Sequence, residues 1–169
     1  MVPKLSRVAF LYDPASSSNA VELEQLRGPA AGLGITLRTV EARSPDDIEK
    51  AFATMIRERA DGLSTASGSV NNTNRVRITE LAAKNRLPAV YHDSQFVEGG
   101  GLMSYGANLA DMYRRAATYV DKILRDTKPA DLPVEQPTKF ELIINLRAAK
   151  QIGLTIPPNL LVRADKVIK

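Results

Sequence analysis

The stretch VAFLYDPASSSNAVEL, residues 8–23, decides the fold. It opens with an apolar run that stops at Asp13-Pro14, a pattern typical of a buried strand followed by a turn. Three consecutive serines and an asparagine come next, and apolar residues at helical spacing begin directly after them. A buried strand, a short polar loop and an amphipathic helix in this order predict the first unit of an α/β domain.

The same order of strand, loop and helix recurs along the first two thirds of the chain. Apolar runs predict strands at 7–12, 35–41, 62–66, 88–92 and 102–105. Apolar stripes predict helices at 20–33, from Ser44-Pro45 onward with Ser44 as the cap, at 73–85 and at 109–124. This alternation predicts a doubly wound parallel sheet with right-handed crossovers and helices on both faces.

Prolines interrupt this pattern in the last third of the chain. The segment 126–137 contains Pro129, Pro133 and Pro137 and predicts an extended connector. Beyond it, the sequence predicts a strand at 140–146 and a short helix that ends near residue 153. A last helix would open at Pro157-Pro158. Its inward-facing residues would be Leu160, Leu161, Ala164 and Val167.

The composition excludes several classes of protein. Of the 169 residues, 44% are hydrophobic and 25% charged, as in ordinary soluble domains, and none is cysteine. Disulfide scaffolds, thiolate metal sites and cysteine nucleophiles are therefore excluded. The net charge of +4 arises from basic residues interleaved with acids, so no nucleic-acid partner is predicted. No run predicts a signal peptide or a membrane span, and we expect a soluble chain without an export signal of its own.

Sequence patterns associated with catalysis are weak in this chain. His92 is the single histidine, no serine lies in a G-x-S-x-G elbow, and no group of histidines offers a metal site. The sequence therefore predicts no catalytic residue, no metal and no cofactor. A flavin- or nucleotide-binding enzyme is the least favoured alternative, because the serine run lacks the glycine of a phosphate-binding loop.

Short polar side chains follow three of the predicted strands. Ligands bind outside the carboxyl ends of the strands in an open parallel sheet, and a strand order 2-1-3-4 would bring these loops to one edge. Serine and asparagine beside helix N-termini bind a carboxylate, and an aspartate binds an ammonium group. The candidate ligand-binding residues are Asp13, Ser16, Ser17, Ser18, Asn19, Ser67, Ser69, Asn71, Asn72, Asp93 and Ser94.

Two alternatives stay open for this edge. Helix capping alone would account for Ser18, Asn19, Asn72 and Thr73. Tyr105 would either stack on a ligand or close the core, and we include it among the candidates. Taken together, three loops of this composition favour a small polar solute over capping alone.

Four stretches resemble one family of bacterial proteins. The segment ADLPVEQPTKFELIINLRAAKQIGLTIPP, residues 130–158, is the most specific. It is preceded in order by SRVAFLYDPASSSNAVELEQL, SPDDIEKAF and RLPAVYHDSQFVEGGGLMSYG. Together these stretches resemble the second lobe and the C-terminal part of ABC-transporter substrate-binding proteins, from about Leu5 to Lys169.

The resemblance implies a periplasmic-binding-protein fold of the first type, in which two flavodoxin-like lobes close on a small solute. It implies non-catalytic binding of a solute similar to an amino acid, such as tryptophan or tyrosine, with an ABC permease and ATPase as partners. Residues 1–107 would form the ligand-binding lobe, and 108–169 a helix, connector, strand and C-terminal helices that bridge to a first lobe. The ligand-facing loops of the family correspond here to 13–19, 67–73, Asp93-Ser94 and Tyr105.

Family members normally carry an export signal and a first lobe, whereas this sequence begins at the second lobe. An intact relative would be periplasmic, or lipid-anchored outside the cytoplasm, and the helix at 108–125 would pack on the first lobe. In this chain a homodimer would cover that helix, and we expect weak binding of solute by the chain alone. The alternative from a different class is a cytosolic regulatory or interaction domain of the same fold.

Overall fold

A seven-stranded sheet runs through the protein, which a computed structural model describes over residues 5–169. Its strands are β1 (Arg7–Tyr12), β2 (Thr36–Glu41), β3 (Gly62–Thr65), β4 (Ala89–Tyr91), β5 (Met103–Ala107), β6 (Phe140–Asn145) and β7 (Lys166–Ile168). The helices are α1 (Ser17–Gly32), α2 (Asp47–Arg57), α3 (Ser69–Thr73), α4 (Arg75–Lys84), α5 (Ser94–Glu98), α6 (Leu109–Leu124), α7 (Leu146–Gln151) and α8 (Pro158–Leu161).

The strands lie in the order β2-β1-β3-β4-β5-β6-β7. Neighbouring strands from β2 to β5 are parallel, which confirms the predicted doubly wound lobe and its 2-1-3-4 order. Strand β6 runs antiparallel to β5, so the sheet is mixed rather than wholly parallel. The direction reverses because the chain leaves β5 and returns at the same end of the sheet, where the Asn108 N–H donates to the Lys139 carbonyl at 2.9 Å.

Helices cover both faces of this sheet. On one face, α1 packs over β1 through a small buried cluster of Phe10, Leu23 and Ala66. The other face carries α2, α4 and α5, and its core includes Ile48, Phe52, Met55, Ile78 and Phe96. A further cluster joins β5 and β6 to the C-terminal helices through Met103 and Ile144. Each large buried side chain contributes about 1.5–3 kcal/mol relative to exposure, so the main core supplies most of the stability.

Two stretches of helix differ from the predicted ones in the middle of the chain. The helix predicted at 73–85 is interrupted at Asn74, whose φ of −102° and ψ of 19° separate α3 from α4. The Asn74 N–H and Nδ2 both donate to the Val70 carbonyl, at 3.3 and 2.8 Å, so the side chain adds a second bond to the last turn of α3 at this break. The short helix α5 was not predicted, and it begins where the Asp93 carboxylate accepts from the Gln95 N–H at 2.7 Å.

The predicted last helix is also wrong in length. It ends at Leu161, and Val167 lies in β7, where it pairs with Ile144 of β6. Valine and isoleucine favour a strand at this position because their branched side chains pack against the neighbouring strand. The segment beyond residue 107 therefore adds two strands to the same sheet as the rest of the chain.

Ser44 does not cap α2 as predicted. Asp46 occupies the N-cap position, and the Ser44 hydroxyl and N–H instead donate to Asp47 Oδ2 at 2.8 and 3.1 Å. The hydroxyl bond lowers the pKa of the Asp47 carboxyl below its usual value. The N-terminus of α2 is thus stabilised by the Asp47 carboxylate, which accepts hydrogen bonds in the first turn, rather than by a cap from Ser44.

Residues 108–139, here called the arm, extend from the sheet. None of the residues of α6 is buried by the described part of the chain, although apolar and polar residues occupy different sides of the helix. The connector returns along α6, where the Tyr119 hydroxyl donates to the Pro133 carbonyl at 2.7 Å and Arg115 pairs with Glu135. Neither α6 nor any other helix within residues 5–169 combines the length and apolar character that a membrane crossing needs.

We expect Gly106→Ala to destabilise the fold and Gly28→Ala to stabilise it slightly. A Cβ at Gly106 would overlap the carbonyl oxygen of His92, so β4 and β5 would have to separate. Gly28 lies in α1 with open space around it, and alanine is the better helix former by about 0.5–1 kcal/mol. Urea unfolding should show a loss of about 2–3 kcal/mol for Gly106→Ala. Equal stability of the two variants would contradict the close approach of the strands.

Candidate functional site

The polar loops predicted from the sequence lie at one edge of the sheet. Strands β1, β3 and β4 are parallel and in register, with Leu11 beside Thr65 and Ser64 beside Val90, so their carboxyl ends reach the same level. Tyr105 lies at the corresponding level of β5, one residue beyond the pair formed by Tyr91 and Ser104. We call residues 13–19, 67–73 and 92–95 together with Tyr105 the polar edge.

Asn19 joins the first two loops of the polar edge. Its Oδ1 accepts from the Asp13 N–H at 3.0 Å, and its Nδ2 donates to the Ser67 carbonyl at 2.6 Å. The side chain is only 1% exposed, so both of its polar groups are directed at the backbone of the protein. For Asn19 the geometry favours positioning of the loops over the predicted contact with a ligand.

Asn71 has a similar role one strand further on. Its Nδ2 donates to the carbonyls of Leu11 and Ala66 at 3.2 and 2.9 Å, and the residue is buried. The Leu11 carbonyl at the end of β1 already accepts from the Ala66 N–H at 2.9 Å, so Asn71 adds a second donor to it and also bonds to the carbonyl that follows β3. The geometry therefore favours positioning over ligand contact for Asn71 as well.

The remaining polar residues of the first loop are accessible. Ser17 and Ser18 are exposed, and Ser16 and Asp13 are half-buried. The Ser16 and Ser18 hydroxyls bond to each other at 2.9 Å, and the Asp13 carboxylate accepts from the Ala15 N–H at 2.9 Å. Ser16 occupies the N-cap of α1, but its hydroxyl accepts from no N–H of the first turn, and no acid lies in that turn. Capping therefore does not explain the serine run.

The second and third loops present further polar groups. Ser67, Ser69 and Asn72 are exposed, and Asp93 and Ser94 are half-buried. The Ser67 N–H donates to Glu22 Oε2 at 3.3 Å, which links this loop to α1. Asp93 caps α5 through its Oδ1, so capping accounts for this one candidate.

His92 makes contacts between the second and third loops that the sequence analysis did not predict. Its Nε2 lies 2.9 Å from Asn72 Oδ1, its Nδ1 lies 3.4 Å from Thr65 Oγ1, and its ring packs edge-on against Phe96. Burial lowers the pKa of the imidazole below its ordinary value, against the opposing effect of the Asp93 and Glu22 carboxylates. Its position directly after β4, beside the candidate Asp93, was the signal available in the sequence.

Tyr105 is on the surface rather than in the core. It is 61% exposed, and its ring stacks on that of Phe140 with 6.0 Å between the ring centroids. The glycine that follows it contacts the His92 carbonyl, so Tyr105 lies close to the end of β4. Of the two alternatives for this residue, closing the core is excluded.

A groove of about 440 Å³ lies away from the polar edge, between α6 and the connector. Met112, Ala116, Tyr119, Pro133 and Val134 contribute to its mainly apolar lining. The groove carries none of the predicted site residues. Within residues 5–169, moreover, no three acidic or histidine side chains come together as a metal site would require.

A doubly wound lobe with polar loops at the carboxyl ends of its strands is the architecture of a small-molecule-binding domain. The sequence identifies the class more closely. Residues 1–168 match the family model described as ABC transporter substrate binding protein, and the chain belongs to that family. No curated protein matches the sequence.

Solved structures share the fold over almost the whole chain. A conserved domain protein from Vibrio cholerae gives a TM-score of 0.90 at 26% sequence identity, over 98% of this chain and 56% of that one. An ABC domain from Streptococcus pneumonia in complex with L-Trp gives 0.89 at 23% identity, over 99% and 57%. A ligand-free, open substrate-binding protein from Clostridium difficile gives 0.74 at 19% identity, over 99% and 56%. The chain thus spans little more than half the length of these proteins.

We expect Asn19→Ala to lower the free energy of unfolding by about 2–3 kcal/mol, because the Asp13 N–H and the Ser67 carbonyl both lose a buried partner. Asn19→Asp should cost at least as much, since it places a carboxylate oxygen against that carbonyl. The control Ser17→Ala changes an exposed side chain and should stay within about 0.5 kcal/mol of the parent. Urea unfolding of the three variants measures these differences, and a neutral Asn19→Ala would refute the role of Asn19.

Proposed function

We propose that the polar edge binds a small polar solute similar to an amino acid, for delivery without chemical change to an ABC importer. The observation that carries the proposal is the convergence of three polar loops at the carboxyl ends of β1, β3 and β4. Membership of the substrate-binding family supports a transport role over a regulatory one. The proposal has three further parts: the chemistry of the solute, the residues that contact it and the location of the protein.

The first loop offers a place for a carboxylate. The first N–H groups of a long helix such as α1 lack intrahelical partners, and the Ser16 side chain at its N-cap accepts from none of them, although the Asn19 N–H donates to the Ser16 carbonyl at 3.1 Å. Hydroxyls of Ser16, Ser17 and Ser18 lie at the same helix end, where the helix dipole favours a negative charge. We infer that the carboxylate of the solute lies here.

The acidic groups of the edge suit the opposite end of an amino acid. Asp13 and Asp93 follow β1 and β4, and each carboxylate accepts a single N–H from its own loop. Each therefore keeps accepting capacity for an ammonium group. The exposed ring of Tyr105 offers a flat surface for an apolar or aromatic side chain. The L-Trp bound to the Streptococcus pneumonia neighbour makes tryptophan the first solute to test.

The chemistry of the edge favours binding over catalysis. The single histidine directs both ring nitrogens at Thr65 and Asn72 rather than at a serine hydroxyl. A serine nucleophile needs such a base within hydrogen-bond distance. We therefore infer that the solute is held and released unchanged.

The polar edge forms one side of a binding site. The chain spans 56% or 57% of the length of the solved neighbours, and we infer that a second lobe closes over the edge in a complete receptor. Tight binding of a small ligand needs most of its surface to be buried. Binding by this chain alone should accordingly be weak. In the complete system we place the receptor outside the cytoplasm, with a permease and an ATPase as partners.

Titration of the ¹⁵N-labelled chain with L-tryptophan, L-tyrosine and small carboxylates, followed by NMR, tests the site. We expect shifts confined to residues 13–19, 67–73, 93–94 and Tyr105, at concentrations of about 1 mM or above. Tyr105→Ala should weaken the response to the aromatic amino acids. Tyr113→Ala, which removes an exposed ring from the arm, should not. Shifts confined to the arm, or chemical conversion of the added solute, would contradict the proposal.

A further inference from the structure

Helix α6 carries an apolar face that is wider than the side lined by the connector. Met112, Tyr119 and Ile123 lie on the side that lines the groove. The side next to it, here called the open stripe, consists of Leu109, Tyr113, Val120 and Leu124, with Ala116 and Ala117 between them. Its four large side chains are between 37% and 79% exposed and fall within about 60° of the helix circumference. A contiguous exposed apolar surface of this kind is typical of an interaction site.

The open stripe has the same spacing in both directions along the helix. It begins at Leu109 and ends at Leu124. Tyr113 and Val120 lie four residues inside these ends, and Ala116-Ala117 form the midpoint. Antiparallel pairing of two copies of α6 about this midpoint therefore places leucine against leucine and tyrosine against valine. The small alanine side chains allow the two helices to approach closely where they cross.

Charged residues beside the open stripe fit the same arrangement. Arg114 and Asp121 are exposed and lie on one edge of the stripe, about 100° from its centre. Antiparallel pairing brings Arg114 of each copy beside Asp121 of the other, so two contacts between opposite charges form. Parallel pairing would instead place each arginine beside its own equivalent. The charges of α6 therefore favour the antiparallel pair.

The base of α6 is held so that the helix leaves the sheet of its own chain. Asn108 Oδ1 accepts from the Asp111 N–H at 2.8 Å, and Asn108 Nδ2 donates to Glu141 Oε2 of β6 at 2.7 Å. The described part of the chain buries no residue of α6. An antiparallel pair would keep the two lobes at opposite ends of a helix about 24 Å long, so the lobes would not collide.

The size of the open stripe suits a reversible dimer. The exposed parts of its four large side chains amount to roughly 500 Å² in each copy, so a pair would bury about 1,000 Å². This area is at the lower limit for a specific protein–protein interface. We therefore expect association that depends on concentration rather than a permanent complex.

We propose that two copies of this chain associate through α6, antiparallel about Ala116-Ala117, with their open stripes in contact. The partner is a second copy because the apolar and charged residues of α6 are complementary to themselves under a two-fold rotation. This inference is independent of the proposed function, since no residue of the polar edge takes part in the contact.

Sedimentation equilibrium of the full chain, from about 1 to about 500 μM, tests the association. We expect a reversible monomer–dimer equilibrium. Val120→Glu places a charge in the open stripe and should weaken association at least tenfold. The matched control Thr118→Glu places the same charge on the exposed polar side of α6 and should associate like the parent. A parent that stays monomeric throughout, or a Val120→Glu variant that associates normally, would overturn the proposal.

Reversal of single charges tests the antiparallel register. Arg114→Asp and Asp121→Arg each place like charges together twice in a dimer, and each should weaken self-association by about threefold to tenfold. An equimolar mixture of the two variants restores opposite charges at both contacts and should recover the affinity of the parent. Each variant also loses an ion pair within its own helix, but the mixture loses these as well. Recovery therefore measures contact between copies, and a mixture no tighter than the separate variants would refute this register.

The absence of cysteine from the chain allows a direct measurement of orientation. Ala117→Cys lies at the midpoint and should form a disulfide-linked dimer on mild oxidation, faster than Thr118→Cys on the polar side. Leu109→Cys should not link to itself, because the two positions would lie about 22 Å apart at opposite ends of the pair. It should link when mixed with Leu124→Cys. Efficient linkage of Leu109→Cys to itself would indicate a parallel pair and overturn the proposal.

Discussion

The parallel register of β1, β3 and β4 places the last residue of each strand at the same level, and the polar edge depends on it. Each strand ends where a loop must begin, so three loops start side by side. Serine, asparagine and aspartate in those loops then face one region even though they lie far apart in sequence. A slip of one residue would turn each strand's buried side chains to the other face and disperse this arrangement.

Loops that meet at the end of a sheet leave backbone groups without the partners that a strand provides. Asn19 supplies partners to the Asp13 N–H and the Ser67 carbonyl, Asn71 supplies one to the Ala66 carbonyl, and each of these buried amides connects segments separated by tens of residues. An unpaired buried group costs about 1–3 kcal/mol, so neither amide is easily replaced by an apolar side chain of similar size. These buried bonds hold the loops in one arrangement, and such preorganisation would reduce the entropic cost of binding a solute.

Periodicity in the sequence was sufficient to predict most of the lobe, because buried strands and amphipathic helices alternate clearly up to residue 124. It was not sufficient for β7, since Val167 satisfies a helical stripe and a short strand equally well. Composition also could not show that Asn19 is buried while the serines beside it are exposed. An asparagine amide bonds to a ligand or to the backbone through the same groups. The contacts of His92 could not be predicted for a related reason: its partners Thr65 and Asn72 are brought to it only by the sheet.

The polar edge and helix α6 of the arm differ in how far the described chain holds and buries them, and this difference bears on how such a lobe would bind a solute. Side-chain hydrogen bonds connect the loops of the polar edge to one another. By contrast, α6 of the arm contributes no buried residue to the described chain, and Val90 in the central strand β4 is 39% exposed. Ordered loops orient a solute but leave much of its surface in water, and orientation alone gives little affinity. Under the proposed function, affinity would therefore come from enclosure by a second surface, and the polar edge would supply selectivity. Because these contributions are separable, a change in one of the polar loops would alter how a solute is oriented without altering how completely it is enclosed.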